Sequence, residues 1–360
     1  MTPKEFLPNP YKFYHEEGSV SFQAPSNIAL VKYWGKHGEQ LPKNASVSFT
    51  LSNCYTQTTL EYQMKRGAGF HVKVFLDGVE TPTFLPKIET FFERIKSYVP
   101  FVERYAFTIH TTNSFPHSSG IASSASGMAA LAMCLVELEN ELLSKTMTPE
   151  YYKQKASFLA RLGSGSAARS IEGPLVVWGA HPNLEGSSDL FGVPYPYTVH
   201  PVFDNFQDTI LLVDKGEKQI SSTVGHNLMH DHPFAQQRFQ QANENLEKLI
   251  PIFEKGDLSA FMELVESEAL SLHAMMLSSM PYFILMKPNT LEIISRIWAF
   301  RRETQTPICF TLDAGANVHV LYPESEKSRV LPFIASQLAS LCKNKEYILD
   351  FAGNGATPIV

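Results

Sequence analysis

Apolar and polar residues follow two different periods along this chain, and the two periods predict a mixture of strands and helices. Short apolar or alternating runs predict strands, and apolar residues spaced by three and four predict helices with one buried face. The clearest helix starts near Met128, because Leu131, Leu135, Leu138 and Leu142 follow it at helical spacing. The predicted strands are 21–31, 46–51, 55–62, 70–76, 105–111, 174–178, 208–213, 308–312, 318–322 and 347–351, and the predicted helices are 88–98, 128–142, 149–161, 234–254, 258–271, 291–302 and 325–342.

The order of these elements predicts an α+β protein with mainly antiparallel strands. A length of 360 residues favours two domains over one. The polar stretch 180–195, rich in glycine and proline, is typical of a surface excursion and places a boundary near residue 200. We therefore expect an N-terminal domain over 1–200, whose first 20 residues form an arm lying on the body, and a C-terminal domain over 201–360.

Composition and charge narrow the class of protein. The formal net charge of −6 gives no basic balance that would favour a nucleic-acid partner. No run approaches the roughly 20 apolar residues of a membrane span, and residues 1–27 do not have the pattern of a signal peptide. The four cysteines are scattered, without metal-binding spacing, which indicates a reducing compartment. These features predict a cytoplasmic metabolic protein with no membrane or nucleic-acid partner.

Residues 116–127 combine small side chains and hydroxyls directly before the Met128 helix pattern. Such a turn gathers backbone N–H groups at the positive end of a helix dipole, which suits a phosphate. The loop is neither a Walker A sequence nor a G-x-G-x-x-G loop. It predicts a nucleotide phosphate site, and a plain small-residue loop before a core helix is the alternative.

Three further segments carry candidate chemistry. An apolar strand ends in Lys32-Tyr33-Trp34-Gly35-Lys36, where two cations and a phenol could bind a phosphorylated substrate; solvated lysines around a core Trp34 are the alternative. Residues 163–170 join glycines and serines to Arg169, which could grip carboxylate or phosphate, or could form a simple helix cap. Asp313 follows an apolar strand and could act as a general base, or could serve the turn alone.

The histidines and the hydroxyl-rich segment 218–225 are weaker indications of function. Ser222 lies at a predicted helix start, where it could cap the helix, contact a substrate phosphate, or do both. His230 and His232 form an H-x-H pair without a third ligand nearby in sequence, so we expect a polar loop and no metal site there. We expect His273 to be a hydrogen-bonded core histidine.

Together, residues 24–29, 32–36, 116–127, 163–170 and 313–317 resemble the signature set of the diphosphomevalonate decarboxylase family, a branch of the GHMP kinase superfamily. Their order and spacing hold from about residue 20 to about residue 320. The resemblance implies an N-terminal domain like the second domain of ribosomal protein S5, a ferredoxin-like C-terminal domain, a site between them, and a homodimer. It also implies ATP and Mg²⁺ as cofactors, and the conversion of (R)-5-diphosphomevalonate to isopentenyl diphosphate, ADP, phosphate and CO₂.

The resemblance also implies a role for each matching residue. Asp313 would orient or deprotonate the 3-hydroxyl, Lys32 would neutralise charge beside it, and Arg169 would hold the substrate carboxylate. The other expected substrate contacts are Asn27, Tyr33, Lys36, Ser164, Gly165, Ser166 and Ser222. The expected ATP contacts are Ser118, Ser119, Gly120, Ser123 and Ser124, with Mg²⁺ on the β- and γ-phosphates and no protein metal ligand assigned.

Three departures from the family pattern keep alternatives open. Ala316 stands where the family usually has proline, and residues 117–119 are more polar than is common there. Thr223 stands where some relatives have an arginine that assists the diphosphate. A phosphomevalonate decarboxylase, a 3-hydroxyl kinase that stops before CO₂ loss, and a non-catalytic metabolite-binding relative are the alternatives.

Overall fold

In the computed structural model of the chain, the described residues are 1–116, 121, 123–214 and 222–359. Within them lie an eight-stranded sheet, a four-stranded sheet and a small two-stranded ribbon, with helices packed against the two larger sheets. The strands of the eight-stranded sheet are β1 (Glu17–Val31), β4 (Ser46–Met64), β5 (His71–Leu76), β6 (Val79–Glu80), β7 (Tyr105–Asn113), β8 (Leu175–Trp178), β9 (Val193–Pro194) and β14 (Thr357–Pro358). The ribbon pairs β2 (Lys36–His37) with β3 (Leu41–Pro42), and the four-stranded sheet has the order β11 (Cys309–Thr311), β12 (Val318–Tyr322), β10 (Gln207–Leu211) and β13 (Tyr347–Phe351).

Most of the helices pack against a sheet or against a neighbouring helix. They are α1 (Leu85–Ile95), α2 (Ser123–Leu142), α3 (Pro149–Gly163), α4 (Ser222–Asn227), α5 (Ala235–Lys255), α6 (Leu258–Leu277), α7 (Pro288–Thr304) and α8 (Lys327–Phe333). The predicted helix from Met128 is confirmed as α2, which is buried along almost its whole length against β1, β4 and α3. The first turn of α2, where Ser123 is half-buried and Ser124 is exposed, lines a cleft.

Strand β4 differs from the prediction of two separate strands at 46–51 and 55–62. It is one strand with a bulge, since Pro25 pairs with Tyr55 and Asn27 already pairs with Thr50. Within the bulge, the Asn53 and Cys54 N–H groups donate to the Asp350 carboxylate at 2.8 and 2.7 Å. A carboxylate from a distant strand therefore replaces the ladder bonds that the bulge removes.

The expectation of mainly antiparallel strands holds for most pairs, but β5 and β7 pair in parallel. The chain returns from β5 to β7 through α1, and such a crossover allows a parallel pair.

The helix predicted over 325–342 is broken: α8 ends at Phe333, a π-helical turn covers Ile334–Leu338 and a 3₁₀ turn covers Ala339–Leu341. Pro332 lies at this break and has no N–H for the α-helical ladder.

Most of the first 20 residues are exposed, and Phe6 and Val20 are the two among them that are buried in the core. Phe6 is fully buried and stacks on Phe158 at 4.3 Å between ring centroids. The Tyr11 hydroxyl donates to Glu139, which forms a buried ion pair with Lys155 at 2.6 Å. The C-terminal strand β14 also returns to pair with β1, so both chain ends support the larger sheet.

Candidate active site

A cleft of about 700 Å³ lies where the end of β1, the start of α2, the 163–170 segment, His226 of α4 and the 313–317 turn meet. Part of its lining is apolar and consists of side chains on β5, α1 and β7, which include Val74, Leu76, Ile88 and Ile109. The lining also contains cations and hydroxyls. Of the residues predicted as site residues, the cleft is lined by Asn27, Lys32, Tyr33, Lys36, Ser123, Ser124, Ser164, Gly165, Ser166, Arg169 and Asp313.

Lys32 and Asp313 form an ion pair at the cleft floor. The Lys32 Nζ lies 3.0 Å from the Asp313 Oδ1, and the side chains are 2% and 30% exposed. Burial lowers the pKa of Lys32, and the Asp313 charge opposes that shift. Lys32 and Asp313 are 281 positions apart in the sequence. Only the packing of the two sheets brings the carboxylate to the ammonium group.

Arg169 is buried beside this pair and is held from several sides. Its Nε donates to the Asn27 Oδ1 at 3.4 Å, its Nη1 donates to Ser46, and its guanidinium lies 5.6 Å from the Trp178 ring centroid. Burial lowers the pKa of Arg169 to about 10, so it remains a cation at neutral pH. The sequence analysis expected Asn27 to contact the substrate, and the geometry also places it against Arg169.

The structure shows what the 163–170 segment contacts and why position 165 is a glycine. Gly165–Ser170 forms a 3₁₀ helix directly after α3, and the Asn27 Nδ2 donates to the Ser166 carbonyl at 3.1 Å and the Ser170 Oγ at 2.8 Å. A Cβ at position 165 would lie 2.9 Å from the Tyr33 hydroxyl and 2.8 Å from the Trp178 ring. Only glycine lets this backbone approach the cleft wall so closely.

Tyr33 and Lys36 line the same cleft after β1. The Tyr33 hydroxyl is buried and has no hydrogen-bond partner among the described residues, and burial raises its pKa. The Lys36 ammonium donates to the Gln40 Oε1 at 3.0 Å, and burial lowers the Lys36 pKa. The predicted alternative role for Trp34 also holds, since it is 5% exposed and packs in a small apolar cluster.

The residues expected to contact ATP are only partly within the described structure. Ser123 and Ser124 open α2 and line the cleft, and the Lys87 ammonium donates to the Ser124 hydroxyl. Ser118, Ser119 and Gly120 lie outside the described residues. Ser222 starts α4, as the predicted helix start required, and the description does not extend to its side chain.

Sequence reasoning missed a buried carboxylate that holds the Lys32 backbone. The Glu268 carboxylate is fully buried, accepts the Lys32 N–H at 2.8 Å and forms an ion pair with Arg238. Glu268 lies within an apolar helix pattern that also contains Glu263 and Glu266, so nothing in the local pattern distinguishes it from its neighbours. His273, five residues further along α6, is confirmed as a bonded core histidine, because it is buried and its Nε2 lies 3.1 Å from the Asp313 carbonyl oxygen.

Two domain models match the chain in succession. Residues 24–189 match the diphosphomevalonate decarboxylase-like N-terminal domain, and residues 209–354 match the mevalonate 5-diphosphate decarboxylase C-terminal domain. This chain belongs to the diphosphomevalonate decarboxylase family. The match confirms the resemblance that the motifs indicated. It also confirms that the protein is an enzyme of this family with a two-domain α+β fold of the GHMP kinase type.

Named relatives and solved structures agree with the family assignment. The diphosphomevalonate decarboxylase of Debaryomyces hansenii is 29% identical over 331 residues, which cover 87% of this chain and 82% of the relative. The Staphylococcus aureus mevalonate diphosphate decarboxylase structure is 27% identical, with a TM-score of 0.81 over 96% of this chain and 98% of that chain. A structure described as MDDEF in complex with MVAPP, AMPPCP and magnesium is 28% identical, with a TM-score of 0.81 over 95% of this chain and 99% of that chain.

Proposed function

We propose that this protein catalyses the ATP-dependent decarboxylation of (R)-5-diphosphomevalonate to isopentenyl diphosphate, ADP, phosphate and CO₂. The observation that carries the proposal is the Lys32–Asp313 pair beside the buried Arg169 in one cleft. A kinase needs a group that orients the attacking hydroxyl, and a decarboxylase also needs a cation for the carboxylate. This cleft contains both.

Asp313 accepts a hydrogen bond from the substrate 3-hydroxyl and orients its oxygen toward the γ-phosphorus of ATP. As the new O–P bond forms and the bond to ADP breaks, the hydroxyl proton passes to Asp313. Lys32, 3.0 Å from that carboxylate, offsets the negative charge that gathers there. The tertiary hydroxyl thereby becomes a phosphate ester, which is a far better leaving group.

Arg169 holds the substrate carboxylate in the second half of the reaction. When the C3–O bond breaks, the electron pair of the carboxylate C–C bond forms the new double bond, and CO₂ and phosphate leave. The contacts from Asn27, Ser46 and Trp178 fix the guanidinium before substrate arrives, so little reorganisation is needed. Tyr33, Lys36, Ser164 and Ser166 bind the diphosphate in this arrangement, and Gly165 gives it access to the backbone.

ATP occupies the rest of the cleft, with the adenosine toward the apolar side chains of β5, α1 and β7 and the phosphates toward Ser123 and Ser124 at the start of α2. These residues fit the nucleotide, because an apolar pocket leads directly to hydroxyls and backbone N–H groups at a helix N-terminus. Among the described residues there is no group of three or more His, Cys, Asp or Glu side chains that could hold a metal. The hydroxyls of Ser123 and Ser124 at the start of α2 would hold Mg²⁺ together with the ATP phosphates, and the bound ion would supply charge neutralisation there.

The decisive experiment gives the purified protein ATP, Mg²⁺ and either 5-diphosphomevalonate or 5-phosphomevalonate, and measures ADP and CO₂. We expect equal amounts of ADP and CO₂ with the diphosphate substrate. ADP without CO₂ indicates a 3-kinase, preference for the monophosphate indicates a phosphomevalonate decarboxylase, and neither product indicates a binding protein. Each of these three results overturns the proposal.

We also propose a domain boundary near residue 200, a cytoplasmic location and a homodimer. The gap 190–208 between the two matched domain models supports a boundary near residue 200. No described helix is both long and apolar enough to cross a bilayer. The four cysteines are free and buried, which supports a cytoplasmic location. Light scattering after size-exclusion chromatography tests the homodimer that the family resemblance implies.

A further inference from the structure

His226 is a buried cleft residue that the catalytic scheme above leaves unused. It lies on α4, is 8% exposed and lines the cleft together with Tyr33, Lys36 and Arg169. Its ring lies 4.4 Å from the Tyr33 ring and 4.6 Å from the Trp34 ring, measured between centroids. The two aromatic side chains therefore leave this imidazole little freedom to turn.

The backbone decides which ring nitrogen of His226 carries the proton. The Gly35 N–H donates to the His226 Nδ1 at 2.9 Å, so Nδ1 must be the unprotonated acceptor. In the neutral ring the proton then lies on Nε2, which has no hydrogen-bond partner among the described residues. Burial, Lys36 and Arg169 lower the pKa of His226 to about 3, so the ring is neutral at physiological pH.

The lack of a side chain at Gly225 permits His226 to lie in the cleft. A Cβ at position 225 would lie 2.6 Å from the Trp34 ring, so α4 reaches the Trp34 side of the cleft only because that residue lacks a side chain. The next residue is thereby brought within electrostatic reach of Lys36 and Arg169, the cations assigned to the anionic substrate. Thr223, which replaces a diphosphate-assisting arginine of some relatives, lies on the same short helix.

We propose that His226 is a substrate-specificity residue whose Nε2–H donates a hydrogen bond to a phosphate oxygen of the substrate diphosphate. The inference rests on the proposed function, because it takes the diphosphate to lie beside Tyr33 and Lys36. A neutral donor adds recognition here without placing another charge among Lys32, Lys36 and Arg169. A hydrogen bond to a charged oxygen also loses little to water inside a buried site.

A pair of isosteric variants separates the two ring nitrogens. In H226N, the amide oxygen replaces Nδ1 as acceptor for the Gly35 N–H, and the Nε2 donor is lost. In H226Q, the amide nitrogen can replace the Nε2 donor. We expect H226N to raise the KM for 5-diphosphomevalonate roughly 10- to 100-fold, with kcat and the KM for ATP within about twofold, and H226Q to recover part of the loss.

The control is H230N, which changes an exposed histidine of the same segment outside the cleft and should leave all three constants unchanged. An H226N enzyme that is folded by circular dichroism and keeps the wild-type KM for 5-diphosphomevalonate overturns the proposal. A rise only in the KM for ATP also overturns it, because the donor would then serve the nucleotide.

Nitrogen-15 NMR of the wild-type protein gives a readout that does not depend on turnover. At pH 7.5 we expect the Nε2–H tautomer of His226, with an Nε2 shift that changes on titration with inorganic pyrophosphate while AMPPCP occupies the nucleotide site. An Nδ1–H tautomer, an imidazolium, or no change at saturating pyrophosphate refutes the inference. If the wild type releases no CO₂, the proposed reaction fails, and this titration still decides the role of His226.

Discussion

The buried pair of Arg238 and Glu268 allows the sharpest stability prediction, for the substitution Glu268→Gln. The two side chains are 3% and 0% exposed, and the guanidinium donates two hydrogen bonds to the carboxylate. The same carboxylate accepts the Asn245 Nδ2 at 2.7 Å and the Lys32 N–H at 2.8 Å. It therefore joins α5, α6 and the residue that follows β1.

Glutamine keeps the shape of this side chain but leaves the Arg238 charge buried without a counter-charge. Breaking a buried ion pair in this way costs about 3–5 kcal/mol. For a cooperative unit of about 150–250 residues, that loss lowers Tm by roughly 6–20 °C. Thermal unfolding followed by circular dichroism measures the change, and a decrease in Tm below about 2 °C would refute the reasoning.

A double-mutant cycle tests whether the loss arises from the pair itself. R238M removes the cation, E268L removes the carboxylate, and R238M/E268L removes both charges at similar volume. We expect the double variant to be at least as stable as E268Q, although Asn245 and the Lys32 N–H still lose an acceptor. Losses that simply add would show that the two charges are not coupled.

Three other predictions concern Asp313, Arg169 and His273. Asp313→Asn should lower kcat by roughly 10²–10⁴-fold and leave the affinity for ATP unchanged. Single-turnover kinetics and nucleotide titration measure these two quantities. A fully active variant would exclude Asp313 as the proton acceptor. Arg169→Lys keeps the positive charge but loses the planar guanidinium that Asn27 and Ser46 hold in place. The kcat/KM for CO₂ release should therefore fall at least about 10-fold. Wild-type CO₂ release would contradict the role of Arg169 in binding the carboxylate. Burial lowers the pKa of His273 from 6.5 to about 4, so below pH 6.5 the unfolded chain binds a proton that the folded protein does not, and stability falls as pH falls. Between pH 6.5 and 5 this histidine costs about 2 kcal/mol, which His273→Gln should abolish in unfolding curves at the two pH values; an equal loss in both proteins would contradict the assignment.

Local patterns along the chain were enough to predict most elements and most candidate site residues. The leucine spacing after Met128 predicts α2, because helix periodicity depends only on neighbours three and four positions away. The 32–36 and 163–170 segments could likewise be recognised as anion-binding candidates from their own residues. Short-range signals failed where a distant partner changed the outcome, as in the β4 bulge that Asp350 fills.

Only the tertiary structure decided which candidates act together. Lys32 and Asp313 meet because β1 and the 313–317 turn approach each other, and nothing in either local sequence encodes that distance. The same holds for Glu268 on the Lys32 backbone and for His226, whose tautomer depends on the N–H of Gly35, 191 positions earlier. Local sequence therefore determined which chemical groups are present, while long-range packing determined their distances, burial and protonation, because these quantities depend on neighbours that are remote in sequence.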